Sequence, residues 1–224
     1  MSAPTALRGL VVDWGGVLTN DVRVALASWA ESEQIPLDSV RVAFSRWLGP
    51  SEADRELANP VHLLERGELA AAQFEHFLAR ELTPADGRVL DPDGLLARMF
   101  SHFTHAPAMN ALVWRAHESG VRTGLLSNSW GNSYPAQVWE GMFDVVVISG
   151  DVGMRKPEPA IYEYTCSRLG LEPAECVFVD DLAHNVTAAV AVGMVGIHHT
   201  SYRETADELS ALFSTDLSGN PDVG

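Results

Sequence analysis

The chain has 224 residues, 46% of them hydrophobic, which is enough to fill the core of one domain or of a core domain with an insertion. Thirty acidic residues against fifteen basic ones give a formal net charge of −15, which argues against a nucleic-acid partner and against an anionic membrane surface. No stretch approaches the roughly 20 apolar residues of a membrane-spanning helix, and the first residues lack the pattern of a signal peptide. Cys166 and Cys176 have neither metal-ligand spacing nor the density of a disulfide framework, so we expect a cytoplasmic protein with reduced thiols.

The first predicted element is a short buried strand at residues 9–13. Its apolar run ends in Asp13, and Gly15 and Gly16 follow as a tight turn. Open α/β sheets place their chemistry at the carboxyl ends of strands, so Asp13 is a candidate reactive group. A second acid at position 15 would have completed an acid/base pair, but glycine stands there.

Residues 20–105 show almost no strand pattern and are predicted to form a helical insertion placed directly after the Asp13 turn. Three groups of apolar residues within this segment recur at helical spacing. They are Val40, Phe44, Trp47 and Leu48; then Phe74, Phe77 and Leu78; then Leu95, Leu96, Met99, Phe100 and Phe103.

Strands and helices alternate after residue 105, which predicts an α/β fold with a doubly wound parallel sheet. The strands are expected at residues 121–127, 144–149, 176–180 and 194–198, and the helices at 107–119, 157–169, 185–192 and 203–213. We therefore expect a core domain formed by residues 1–19 and 106–213 and a helical cap formed by 20–105. Residues 214–224 are polar without a period and are expected to be a disordered tail.

Three later strand ends carry side chains suited to phosphate and metal chemistry. The strand at 121–127 ends in Ser127 and Asn128, and a hydroxyl with the N–H groups of a tight turn suits phosphate oxygens. Lys156 lies between a glycine-containing loop and a proline that opens a helix, which would fix its ammonium group. The apolar run of the strand at 176–180 ends in the pair Asp180–Asp181, which together with Asp13 offers the oxygen ligands that Mg²⁺ prefers.

Two further pairs of residues lie close to these motifs. Trp14 and Trp130 flank the first and second motifs, and they are expected either to pack under the insertion or to line the site. Glu65 and Arg66 lie at a predicted helix end and would contact a substrate only if that end faces the site.

In chain order, Asp13, Ser127, Lys156 and the Asp180–Asp181 pair resemble the four motifs of the haloacid dehalogenase-like (HAD) hydrolase superfamily. The resemblance covers about residues 8–200, and the insertion resembles the helical C1 cap of that superfamily. The phrases LSN, GMRKPE and DD followed by Asn185 are similar to a subgroup with sugar-1-phosphate phosphatases and the N-terminal domain of soluble epoxide hydrolases.

The resemblance implies a Rossmann-like core and a Mg²⁺-dependent phosphatase that acts on a small phosphorylated metabolite. Asp13 would form an aspartyl-phosphate intermediate, Ser127 and Asn128 would bind the phosphoryl oxygens, and Lys156 would orient Asp13. The implied metal ligands are Asp13, the backbone carbonyl of Gly15, Asp180 and Asp181.

Gly15 departs from the family pattern, in which an aspartate protonates the leaving oxygen and then activates water. Such a group typically contributes about 10²–10⁴-fold to the rate. Three explanations stay open: a leaving group that needs little help, a proton supplied by a cap residue or water, or weak catalysis.

Two other functions remain as alternatives. A 2-haloacid dehalogenase also lacks the second aspartate, but it needs no metal and lacks the acidic pair. A weakly catalytic domain that binds a ligand or protein is favoured by Gly15 alone.

Overall fold

A computed structural model describes residues 6–48, 59–131, 134 and 138–219. Its centre is a sheet of five parallel strands in the order β3-β2-β1-β4-β5. The strands are β1 (Gly9–Val12), β2 (Arg122–Ser127), β3 (Val145–Ile148), β4 (Cys176–Asp180) and β5 (Val195–His198). The five strands lie at the predicted places, within one or two residues at their ends, and the α/β prediction is confirmed.

Helices cover both faces of this sheet because successive strand side chains point to opposite sides. Leu10 and Val12 of β1 belong to one buried cluster, and Val11 between them belongs to another. The helices are numbered in chain order, and α1 to α5 belong to the insertion described below. Those that flank the sheet are α6 (Pro107–Glu118), α7 (Ser149–Val152), α8 (Pro159–Leu169), α9 (Ala183–Ala191) and α10 (Tyr202–Phe213). Helix α8 begins two residues later than predicted, because Glu158 first closes a turn by accepting a hydrogen bond from the Arg155 N–H.

The insertion is helical, as predicted, and it has a hydrophobic cluster of its own around Trp29 and Phe74. Its described helices are α1 (Val22–Ser32), α2 (Leu37–Leu48), α3 (Pro60–Glu65), α4 (Ala71–Glu81) and α5 (Leu95–Phe100). Phe77 differs from the prediction: it is 46% exposed, because only the side of α4 that carries Phe74 and Leu78 faces this cluster. The side chain of Leu48 lies outside the described residues.

The chain enters and leaves the insertion at one place. Thr19 and His105 form an antiparallel bridge, and the Asn20 N–H donates to the Thr104 carbonyl at 2.8 Å. We interpret this double crossing as the hinge between the proposed core and the proposed cap at residues 20–105.

The residues after α10 differ from the expected disordered tail as far as they are described. Leu217 is fully buried, and its carbonyl accepts hydrogen bonds from Nε and Nη2 of Arg115 at 3.0 and 2.7 Å. An apolar side chain within a polar stretch thus packs on the core; residues 220–224 lie outside the described part of the chain. Among the described helices, none has the length and apolar character needed to cross a membrane.

Candidate active site

Asp13 and Asp180 lie side by side because β1 and β4 are neighbours in the sheet. The Asp13 N–H donates to the Val179 carbonyl at 2.9 Å, which continues the pairing of the two strands by one residue. Asp13 is 8% exposed, and Asp180 is completely buried. The carboxyl ends of adjacent parallel strands therefore bring together two acids that are 167 positions apart in the chain.

Lys156 lies between these two acids. Its Nζ is 2.8 Å from Asp13 Oδ1 and 2.7 Å from Asp180 Oδ2, and the residue is 1% exposed. The Asn128 side chain holds the Lys156 backbone from both sides, accepting from its N–H at 2.8 Å and donating to its carbonyl at 3.0 Å. Asn128 is predicted to bind the phosphoryl oxygens, and its side chain in addition positions the lysine.

Burial and neighbouring charges shift the pKa values of the ionisable groups at this site. Burial raises the pKa of the Asp13 carboxyl to about 7; Lys156 lowers it, and Asp180 and Asp181 raise it further. Burial and the neighbouring Asp180 raise the pKa of Asp181 to about 6. Burial lowers the pKa of Lys156, but Asp13 and Asp180 outweigh this effect and raise it above its ordinary value, so the ammonium stays charged.

These residues fit a hard divalent cation. Oxygens of Asp13, Asp180 and Asp181 lie within 4.8 Å of one another, and carboxylate oxygens are the ligands that Mg²⁺ takes. Burial, and after it the neighbouring acids, raise the pKa values of Asp13 and Asp181, and a bound cation would counter both effects.

Asn185 fixes the orientation of Asp180. Its Nδ2 donates to both carboxylate oxygens at 3.1 Å, and the Leu182 N–H donates to Oδ1 at 2.8 Å. In the sequence, Asn185 is marked only by its position four residues after Asp181, and its support of Asp180 emerges from these contacts.

Gly16 is required where it stands. Its φ is +75°, and a Cβ there would lie 2.5 Å from Asp181 Oδ2. Gly15 is different, because a Cβ would meet only the Val22 side chain, at the ordinary contact distance of 3.8 Å.

Ser127 lies at the end of β2, where it was expected, and is 2% exposed. Its Oγ is 3.0 Å from the hydroxyl of Tyr134, a residue that the sequence gave no reason to single out. The ring of Tyr134 packs edge-on against Trp14 with a centroid distance of 5.0 Å.

A cavity of about 230 Å³ connects these groups with the insertion. Asp13, Gly15, Ser127, Lys156 and Asp181 line it on the sheet side. Trp14 and Trp130 also line it, so the aromatic residues beside the first two motifs do face the site.

A family model for haloacid dehalogenase-like hydrolases matches residues 7–193. The chain belongs to this family. The rat protein "Bifunctional epoxide hydrolase 2" is 28% identical over 223 residues, covering 92% of this chain and 38% of that protein. "Sesquiterpene phosphatase astK" of Aspergillus oryzae is 45% identical over 74 residues, covering 33% of this chain and 37% of that protein. The chain thus spans less than two fifths of the length of either relative.

A solved HAD family enzyme from Bacteroides thetaiotaomicron, bt-2542, in complex with magnesium and inorganic phosphate, shares the fold. The TM-score is 0.64 at 21% identity, covering 87% of this chain and 95% of that one. The predicted resemblance to HAD hydrolases and epoxide hydrolases is therefore confirmed.

The insertion of this HAD-like hydrolase is fastened to the core beside Lys156. Glu65 at the end of α3 accepts from Arg155 Nε at 2.5 Å and from Trp130 Nε1 at 2.9 Å, and its carbonyl accepts from Ser149 Oγ at 2.5 Å. Both Glu65 and Arg155 are buried. Glu65 does line the cavity, whereas Arg66 pairs with Glu158.

Proposed function

We propose that this HAD-like hydrolase is a Mg²⁺-dependent phosphatase that acts on a small phosphorylated metabolite, with Asp13 as the nucleophile. One observation carries the proposal: Asp13 is held 2.8 Å from a buried ammonium, beside an acidic pair and at the wall of a cavity. Two relatives that are named as phosphatases and one that is named as a flavin mononucleotide hydrolase support the reaction class.

In this proposal a carboxylate oxygen of Asp13 attacks phosphorus, the P–O bond to the alcohol breaks, and water later hydrolyses the aspartyl phosphate. Lys156 binds Oδ1 and so restricts the carboxylate to one orientation, while its charge offsets the negative charge of the transition state. Ser127 Oγ donates to a phosphoryl oxygen. Mg²⁺, when bound, supplies positive charge that reduces the repulsion between the phosphate and Asp13.

The ligands proposed for the metal are Asp13, the Gly15 carbonyl, Asp180 and Asp181. The Asp180 carboxylate already accepts hydrogen bonds from Lys156 and Asn185, so it is proposed to bind the metal either directly or through a water molecule. Asp181 is the more exposed member of the pair and is proposed as the direct carboxylate ligand beside Asp13.

The missing acid at Gly15 restricts the leaving group. Among described residues, Glu65 is the insertion's carboxylate at the cavity, and both its oxygens already accept hydrogen bonds. We infer that the substrate has a leaving group that needs little protonation, or that water supplies the proton. Gly15→Asp should then speed the hydrolysis of a poor leaving group, such as phenethyl phosphate, but not of 4-nitrophenyl phosphate. Strong acceleration with both would contradict this reading.

The experiment that tests the function measures phosphate release from a panel of phosphorylated metabolites, with Mg²⁺ and with a chelator. We expect activity only with the metal, and its loss in Asp13→Asn. Asp38→Asn is the matched control, since this side chain is 93% exposed and does not line the cavity. Activity that survives chelation, or full activity in Asp13→Asn, would remove the phosphatase proposal, and halide release from a 2-haloacid would favour a dehalogenase.

A further inference from the structure

The insertion gives the cavity an apolar wall. It contributes six apolar side chains, namely Val22, Leu26, Phe44, Met99, Phe100 and Phe103. Trp14, Trp130 and Leu182 of the core extend the same surface. Polar groups are gathered instead around the sheet end with Asp13.

The polar groups near that wall are already paired. Glu65 is the one polar side chain that the described insertion offers to the cavity, and its oxygens bind Arg155 and Trp130. The Tyr134 hydroxyl lies 3.0 Å from Ser127 Oγ. A sugar placed here would bury several hydroxyls against hydrocarbon, and each buried hydroxyl without a partner is costly.

We propose that the group carried by the phosphate is apolar: an aromatic or hydrocarbon alcohol, and not a sugar. This inference rests on the proposed phosphatase function and names the substrate class of that site. It departs from the sugar-1-phosphate phosphatases in the predicted subgroup. Burying one more methylene against the insertion should raise kcat/KM about fourfold until the cavity is full.

The test uses 4-alkylphenyl phosphates, because lengthening the alkyl group from hydrogen to butyl hardly changes the reactivity of the phenol as a leaving group. We expect kcat/KM to rise at least 30-fold from phenyl to 4-butylphenyl phosphate. The analogue 4-(2-hydroxyethyl)phenyl phosphate should fall at least tenfold below 4-propylphenyl phosphate, which has nearly the same size. Equal kcat/KM across the series, or faster turnover of glucose 1-phosphate, would overturn the inference while leaving the phosphatase function intact.

Leu26→Gln places an amide in the wall, and it should lower the ratio of kcat/KM for 4-butylphenyl over phenyl phosphate at least fivefold. Val24→Gln is the matched control on the same helix, because Val24 is 60% exposed and does not line the cavity. Leu26→Met should retain the wild-type ratio, and the alkyl series on the wild-type protein tests the inference even if the glutamine variant does not fold. If the folded Leu26→Gln variant keeps the wild-type ratio, the apolar side chains of the insertion do not bind the alkyl group, and the inference is overturned.

Calorimetry separates failure of this inference from failure of the proposed function. In the presence of Mg²⁺, 4-butylphenylphosphonate should bind at least tenfold more tightly than methylphosphonate. If neither the phosphate esters nor the more reactive acyl phosphate acetyl phosphate is hydrolysed, but this preference holds, the phosphatase proposal fails and the apolar site stands. Equal affinities would refute the apolar site.

Discussion

Lys156→Met is the most informative single substitution, because it removes the ammonium between Asp13 and Asp180 while largely preserving the volume of the side chain. Both contacts are short, at 2.8 and 2.7 Å, and the lysine is almost completely buried. Without it, the carboxylates of the site face one another without that cation. The variant therefore tests whether this cluster is organised around positive charge.

The expected loss of folding free energy in Lys156→Met follows from the burial of the ion pair. Removing one partner of a buried ion pair typically costs about 3–5 kcal/mol, because the remaining charge is left without compensation. In a protein of this size about 1 kcal/mol shifts the midpoint by roughly 2–4 °C, so we expect a fall of about 6–20 °C in Tm.

The assay is thermal unfolding in a chelator and again in excess Mg²⁺. Arg88→Met is the control, since its pair with Glu33 involves an arginine side chain that is 40% exposed and should be worth at most about 1 kcal/mol. Mg²⁺ should recover more of the loss in Lys156→Met than in Arg88→Met. A fall of less than 2 °C in the chelator would refute the reasoning.

Three further predictions concern neighbouring groups. Saturating Mg²⁺ at about 100 times its Kd should stabilise the wild type by about 2.7 kcal/mol, measured by denaturant titration, and Asp181→Asn should abolish most of this gain. Gly16→Ala should also abolish the stabilisation by Mg²⁺, because the new Cβ would displace Asp181 Oδ2. The control Gly170→Ala should keep that stabilisation and lose only the roughly 1–2 kcal/mol of folding free energy that a left-handed backbone costs a residue with a Cβ. Equal Mg²⁺ responses of the two variants would contradict this prediction. Glu65→Gln should cost about 3–5 kcal/mol by stranding the buried Arg155, and a change in Tm below 2 °C would show that this contact does not fasten the insertion.

The strand-end residues were predictable because parallel strands end at a common edge. Asp13 and Asp180 each follow an apolar run, and the pairing of their strands in a parallel sheet brings them close together. This proximity can be predicted without knowing any side-chain contact. The helical insertion was predictable for a similar reason, since apolar spacing reports the buried face of each helix.

Contacts between the insertion and the core could not be predicted in this way. Glu65 and Arg155 are 90 positions apart, and their pairing depends on how two separately packed units meet. The Tyr134 hydroxyl lies 3.0 Å from Ser127 Oγ, and no apolar period in the sequence marks this tyrosine. Phe77 fits the helical spacing of its neighbours but is 46% exposed. Spacing alone cannot show how much of the helix surface the adjacent helices cover.

The two glycines after Asp13 have different causes. Gly16 is imposed by the backbone and by Asp181, so no other residue fits without displacing an acid. Gly15 is imposed by neither, because its φ is not positive and a Cβ would have ordinary room beside Val22. Packing therefore permits a side chain at the position where the family's acid/base aspartate stands. Under the proposed function, the missing aspartate is explained by the substrate: a phosphate ester whose alcohol leaves readily needs an oriented nucleophile and neutralised charge more than it needs a proton.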